Sequence, residues 1–365
     1  MPFTPGMYRS YDIRGVVPDE LNAEDAEQIG RAFIVFTKAK RVLVARDMRT
    51  TGPALHSALI RGLMNQGADI INVGLATTPL FYYSVWHAKA DAGVMVTASH
   101  NPGKYNGLKM TRHEAIPISK DTGILAIRDL VEKGVFPAAG RTGSVTTADY
   151  SAGYLDYATQ GADQIGSLKI VIDAGNGMAG LLLPRVVERM SKVRATSMYF
   201  ELDGTFPHHE ANPLKEENMR DLQERVRAER ADLGVAFDGD GDRVGFTDEN
   251  GATIPGDFIT TLLAQEILRE RTGAKVLYDL RSSRVTRETI EVSGGIPVMT
   301  RVGHSYIKAH MRQEGAAFAG EMSSHFYFQE YYAESAIRAM VLLLRLLSGR
   351  TPPLSRLIAP LKKYA

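Results

Sequence analysis

Between residues 238 and 243 the chain reads Asp-Gly-Asp-Gly-Asp-Arg, so that Asp238, Asp240 and Asp242 stand at alternate positions with glycine between them. Glycine lets the backbone curl until the oxygens converge. Three mutually repelling carboxylates straight after the apolar run 233–237 call for a cation, and hard oxygen ligands select Mg2+ or Ca2+ over softer metals. An EF-hand loop is set aside because the acidic run follows a strand. A phosphatase that phosphorylates the first Asp of a D-x-D-x-T motif fits in part at Asp238 and Asp240, but residue 242 is Asp rather than Thr.

A second loop, Thr-Ala-Ser-His-Asn-Pro at 97–102, follows the apolar run 92–96. A serine hydroxyl is a weak nucleophile unless a neighbour activates it, and Asn101-Pro102 enforces a turn that would project Ser99 from a strand end. His100 is adjacent, yet consecutive side chains commonly point apart, so it need not be the base. Lys109 follows ten residues after Ser99. A turn-capping Ser99 and a solvated Lys109 are the plain alternatives. The two loops explain each other if Ser99 carries a phosphoryl group, because Mg2+ keeps room for a phosphate oxygen beside its carboxylates. Ser99 then joins Asp238, Asp240 and Asp242 as a metal ligand.

A third loop, Gly-Glu-Met-Ser-Ser-His at 320–325, offers Glu321, Ser323 and His325, a set suited to bonding vicinal hydroxyls. His304 follows a strand and a glycine, where an imidazole could move protons. Structural roles for all four are the alternative.

Elements that must hold these loops repeat. The stretches 40–47, 168–175 and 274–281 each set a basic residue before a short β-type run ending at Asp, and each would open a central sheet. Helical patterning follows, and then a second strand running into one of the three polar loops. Alternation of this kind predicts an α/β fold with mostly parallel sheets, in which ligand chemistry gathers at the carboxyl ends of strands. Boundaries at Gly/Thr/Pro-rich stretches divide the chain into 1–146, 147–251 and 252–365. With 365 residues, 43 Lys+Arg against 42 Asp+Glu and no cysteine, the chain is expected to bind neither nucleic acid nor membrane and to reside in the cytoplasm. No apolar run approaches the roughly 20 residues needed to span a bilayer.

Taken together, Tyr-Asp-Ile-Arg-Gly at 11–15, the 97–109 stretch, 238–243, Val-Gly-His-Ser-Tyr-Ile-Lys at 302–308 and 320–325 resemble the α-D-phosphohexomutases, the phosphomannomutase and phosphoglucomutase family. The resemblance implies three sequential, similar α/β domains around a central cleft. It implies a phosphoserine at Ser99, Mg2+ on the three aspartates, Lys109 as general base and His304 as general acid or its neighbour. Arg14, Tyr11, His100 and Arg243 would line the transfer site, while Glu321, Ser323, His325 and Arg281 would hold the sugar. Glucose 1,6-bisphosphate or mannose 1,6-bisphosphate is the implied activator and intermediate. The expected partner is a hexose phosphate, and the expected state is a monomer or weak homo-oligomer.

Met322 stands where phosphoglucosamine mutases typically have Gln, favouring glucose or mannose phosphate over glucosamine phosphate. Ser324 replaces the usual Gly, and Arg281 a common lysine. The family has a fourth, phosphate-gripping domain, and residues 353–365 resemble the hinge leading to it. The expectation is a three-domain form with weakened substrate binding. A non-catalytic metal and sugar-phosphate-binding protein is the remaining alternative.

Overall fold

The computed structural model describes residues 4–348 and 352–364, so residues 349–351, within the stretch that precedes the expected hinge, lie outside the described residues. The chain divides into two units, residues 1–152 with 203–206 in the first, and residues 153–202 with 207–365 in the second.

The first unit holds a sheet of six strands, β1 (Ile13–Val16), β2 (Arg41–Arg46), β3 (Asp69–Leu75), β4 (Ala92–Val96), β5 (Tyr105–Arg112) and β6 (Val145–Thr147), in the order β1-β5-β4-β2-β3-β6. β2 is parallel to β3 and β4, and β3 to β6, whereas β5 runs antiparallel between β4 and β1. The sheet is therefore parallel at its centre and antiparallel at one margin. The repeated 40–47 segment forms β2 at that centre, but it does not open the sheet, because residues of the Tyr-Asp-Ile-Arg-Gly motif form the earlier strand β1.

Helices α1 (Ala23–Thr37), α2 (Gly52–Asn65), α3 (Thr78–His87) and α4 (Ile124–Lys133) cover the sheet's apolar strands. α1 starts at a capping box, in which the Asn22 side chain accepts from the Glu24 and Asp25 amides and Asp25 accepts from the Asn22 amide. It packs on α2 at closest approach through Gly30 and Gly62. A Cβ on Gly62 would lie 2.0 Å from the Glu27 carbonyl oxygen, so only glycine fits there.

The second unit holds two sheets. The first comprises β7 (Leu168–Asp173), β8 (Val193–Met198), β9 (Leu233–Phe237), β10 (Val244–Thr247) and β11 (Thr253–Ile254), ordered β11-β10-β9-β7-β8. It carries α5 (Ser151–Ala158), α6 (Leu183–Glu188) and α7 (Arg220–Glu229). β11 belongs to this sheet through its pairing with β10, so the sheet runs past the expected boundary at 251. The other sheet comprises β12 (Lys275–Asp279), β13 (Ile296–Thr300), β14 (Phe318–Gly320), β15 (Phe326–Phe328) and β16 (Ala333–Glu334), ordered β13-β12-β14-β15-β16. With it go α8 (Gly256–Glu270), α9 (Arg284–Val292), α10 (His304–Glu314), α11 (Ala336–Ser348) and α12 (Leu354–Ile358). α11 contains the longest apolar run and buries it almost completely. No helix among the described residues is long and apolar enough to cross a membrane.

One pattern recurs in all three sheets. A central strand (β2, β7, β12) pairs in parallel with a neighbour (β4, β9, β14), which returns through a short loop into an antiparallel partner (β5, β10, β15). The three polar loops are these three returns.

Candidate active site

In the first unit the return between β4 and β5 carries Ser99. The Ser99 amide donates to Thr97 Oγ1 at 2.9 Å and the Asn101 amide to the Ala98 carbonyl at 3.0 Å, which closes the turn ahead of Pro102. Ser99 itself has φ +51, the left-handed region that a non-glycine residue enters only at a cost. Ser99 is buried. That backbone bend brings Ser99 Oγ to 3.3 Å from His100 Nδ1; consecutive side chains commonly point apart on extended backbone, and Ser99 is not extended.

β1 and β5 supply the cations. Arg14 pairs with Gly107 in register, and Lys109 lies two residues further along β5, so both side chains leave the same sheet face. Gly107 is required between them, since a Cβ there would lie 2.2 Å from the Ile13 carbonyl oxygen. Arg14 Nη1 donates to Asn101 Oδ1 at 2.5 Å, and its Nη2 pairs with Asp12. Lys109 is buried and Tyr11 half-buried.

In the second unit the return between β9 and β10 buries Asp238, Asp240 and Asp242 almost completely. One oxygen from each lies within 4.8 Å of the others. Asp238 Oδ1 accepts from the Asp242 and Arg243 amides at 3.0 and 3.1 Å, and Gly241 at φ +72 makes the turn possible. Burial, then the charges of Asp242 and Asp240, push the Asp238 carboxyl well above the usual carboxylate range. Three buried carboxylates this close cannot all stay charged alone. A hard divalent cation relieves both the burial and the repulsion, so the residues present fit Mg2+. The loop is braced from behind, because the Gly239 amide donates to the Ala211 carbonyl at 3.1 Å and the Met178 amide to the Gly239 carbonyl at 2.9 Å.

The same unit joins this loop to the third. His325 Nδ1 lies 3.1 Å from Glu321 Oε2 and 3.0 Å from Ser323 Oγ, while Nε2 lies 3.2 Å from Asp242 Oδ1 and 3.3 Å from Arg243 Nε. Burial alone would lower the His325 pKa, but Asp242 and the hydrogen bonds to Asp242 and Glu321 outweigh it and raise it to about 9. Glu321 is buried as well, which would raise its pKa, yet His325, the Tyr327 hydroxyl at 2.8 Å and the Gly303 amide at 3.0 Å hold it well below the carboxylate range. Arg281 Nη2 sits 2.7 Å from Asp279 Oδ2 and 4.0 Å from Glu321 Oε1. His304 begins α10, with Nδ1 3.8 Å from Glu334 Oε1.

Several residues of these sites were not among the expected site residues, although Lys308 closes the 302–308 motif. Tyr327 anchors Glu321 from inside the hairpin. Lys308, fully buried, is ion-paired with buried Glu334 at 2.6 Å, one α-helical turn beyond His304. Arg49 binds the Ser99 loop from the interior. Its only sequence signal is the Asp47-x-Arg49 pair closing the first repeated segment.

Three family models of phosphoglucomutase/phosphomannomutase match in order: alpha/beta/alpha domain I over residues 6–138, domain II over 152–251 and domain III over 255–364. A phosphohexose mutase of Xanthomonas campestris pv. campestris (strain B100) is 40% identical over 361 residues, 98% of this chain and 80% of that protein. The phosphomannomutase/phosphoglucomutase of Pseudomonas aeruginosa is 40% identical over 347 residues, 94% of this chain and 74% of that protein. A crystal structure of a phosphoglucomutase/phosphomannomutase family protein from Burkholderia thailandensis superposes with a TM-score of 0.89 at 34% identity, covering 96% of this chain and 78% of that one. Three matched domains and this level of identity across nearly all of its length make the chain a member of the phosphoglucomutase/phosphomannomutase family.

Proposed function

We propose that the chain interconverts hexose 1-phosphate and hexose 6-phosphate, with Ser99 as carrier of the phosphoryl group. In net result it is an intramolecular phosphotransferase. The observation that carries this reading is the Ser99 loop, in which a buried hydroxyl sits at a strand return in left-handed backbone beside His100, with Arg14 and Lys109 on one face of the same sheet.

In the transfer step a sugar hydroxyl oxygen bonds to phosphorus while the bond from phosphorus to Ser99 Oγ breaks. Lys109 is the proposed acceptor of the hydroxyl proton, and His100 lies close enough to return a proton to Ser99 Oγ. The bisphosphorylated sugar then turns end over end, and the same step in reverse moves its other phosphoryl group to Ser99. Arg14, Tyr11 and Arg243 are proposed to line the phosphoryl group, where fixed positive charge favours the charge that develops on its oxygens. Asp238, Asp240 and Asp242 would hold Mg2+, which when bound neutralises phosphoryl charge. Glu321, Ser323, His325 and Arg281 are proposed to hold the ring hydroxyls, with His304 as a general acid or its neighbour.

Met322 supports glucose and mannose phosphates over glucosamine phosphate as substrates. Turnover of glucose 1-phosphate to glucose 6-phosphate, primed with glucose 1,6-bisphosphate and Mg2+, tests the proposal. Ser99→Ala is expected to lower kcat at least ~10³-fold. Phosphate release that survives Ser99→Ala and vanishes in Asp238→Asn would instead favour a phosphatase.

A further inference from the structure

The Arg49 side chain is fully buried, as is that of its ion-pair partner Asp47. A guanidinium carries five N–H donors in a rigid planar fork. Here Nε donates to Asp47 Oδ2 at 3.2 Å, Nη1 to the carbonyls of Pro102 and Tyr105 at 2.8 and 2.9 Å, and Nη2 to the carbonyls of Ser99 and Asn101 at 2.8 and 2.5 Å. Four of the five bonds thus go to the main chain of one loop, residues 99–105. The Phe206 ring packs 5.2 Å from the guanidinium carbon and covers its face.

Such an arrangement is a poor device for stability alone. Burying a charged group is costly, and an apolar side chain of similar size often serves a core as well or better. What the fork does, and an apolar residue cannot, is set the directions of three carbonyls in a loop without regular secondary structure and of a fourth, that of Tyr105, where the loop enters β5. With the carbonyls of Ser99, Asn101, Pro102 and Tyr105 all turned inward, their oxygens face Arg49. Ser99 stands at φ +51, a region its side chain disfavours, and the bond from Nη2 to its own carbonyl opposes relaxation of that peptide.

We infer that Arg49 is a positioning residue for phosphoryl transfer: its fork, more than its charge, fixes the Ser99 backbone and so aims Oγ. Asp47 orients the fork, since its Oδ1 accepts from the Arg49 amide at 3.0 Å while Oδ2 accepts from Nε. The inference rests on the reading of Ser99 as the phosphoryl carrier.

Arg49→Lys keeps the charge but replaces the planar fork with three donors on a single nitrogen. Its effect is read by intact mass during incubation with glucose 1,6-bisphosphate and Mg2+, and by amide hydrogen exchange. Misplacement of a reacting group costs on the order of 100-fold, so the rate of Ser99 phosphorylation should fall by about that much, with KM for glucose 1-phosphate within about threefold of wild type. Exchange should quicken at residues 99–106 while β2 and β4 stay protected. Wild-type phosphorylation and exchange would overturn the inference, and so would faster exchange spread evenly over the whole unit, which would mark a structural role only. If Arg49→Lys does not fold, Asp47→Asn must show the same localised exchange and a smaller loss of rate, and its failure to do so overturns the inference. Failure of the carrier reading is distinguished by Ser99→Ala, which would then still gain the phosphoryl group.

Discussion

Ser324 stands at φ +64, and its amide donates to the Glu321 carbonyl while its own carbonyl accepts from the Val244 amide. A branched Cβ is worse there than serine. Ser324→Val should cost about 1–3 kcal/mol in denaturant unfolding, whereas Ser324→Gly should leave stability unchanged or raise it. The aspartate loop makes a second residue-level prediction. Free Mg2+ at 100 times its Kd should stabilise the protein by about 2.7 kcal/mol, and Asp240→Asn should remove most of that shift while the fold persists. At this scale the sequence was highly legible where chemistry and spacing coincide, as in the three aspartates. It was blind where a partner comes from far along the chain. Nothing local marks Lys308 as the partner of Glu334, or Arg49 as a donor to residues some fifty positions later. The Ser99–His100 contact was hidden for a different reason, because it depends on a left-handed residue that neighbouring residue types do not announce.

Among the elements, α2 offers two independent tests. Gly62 meets the Glu27 carbonyl of α1 with no room for a methyl group. Gly62→Ala should therefore destabilise the first unit by about 1–3 kcal/mol through overpacking, seen as a shifted denaturation midpoint. His56, on the same helix, is buried. Burial first, and then the Arg46 charge, lower its pKa to about 4 despite a hydrogen bond with Asn72. Below an unfolded value near 6.5 the unfolded chain binds a proton that the folded one refuses, so stability falls as pH drops from about 6.5 to about 4. The full difference is about 3 kcal/mol. His56→Leu should flatten that part of the stability curve, measured by chemical denaturation at pH 7.0, 5.5 and 4.5. The central strands were legible because their apolar runs and terminal Asp recur. β1 and β11 were not, being four and two residues long with no apolar run of their own.

Across the whole molecule, one topological unit has been used three times, and the strand return of each copy carries different chemistry. The first presents a serine with cations, the second a carboxylate trio and the third a linked Glu321, Ser323 and His325. That division was visible in the sequence because short returns leave no room for anything but the chemistry they carry. Less visible was how the second and third returns are joined, since His325 bridges Asp242, 83 residues earlier in the chain, and Glu321. Whether Ser99 carries the phosphoryl group is decided by intact mass. Incubation of the chain with glucose 1,6-bisphosphate and Mg2+ should add one phosphoryl group, lost again on adding excess hexose monophosphate and absent in Ser99→Ala. A phosphoryl group that also appears on Ser99→Ala, or none on the wild-type chain while turnover proceeds, would contradict that role of Ser99.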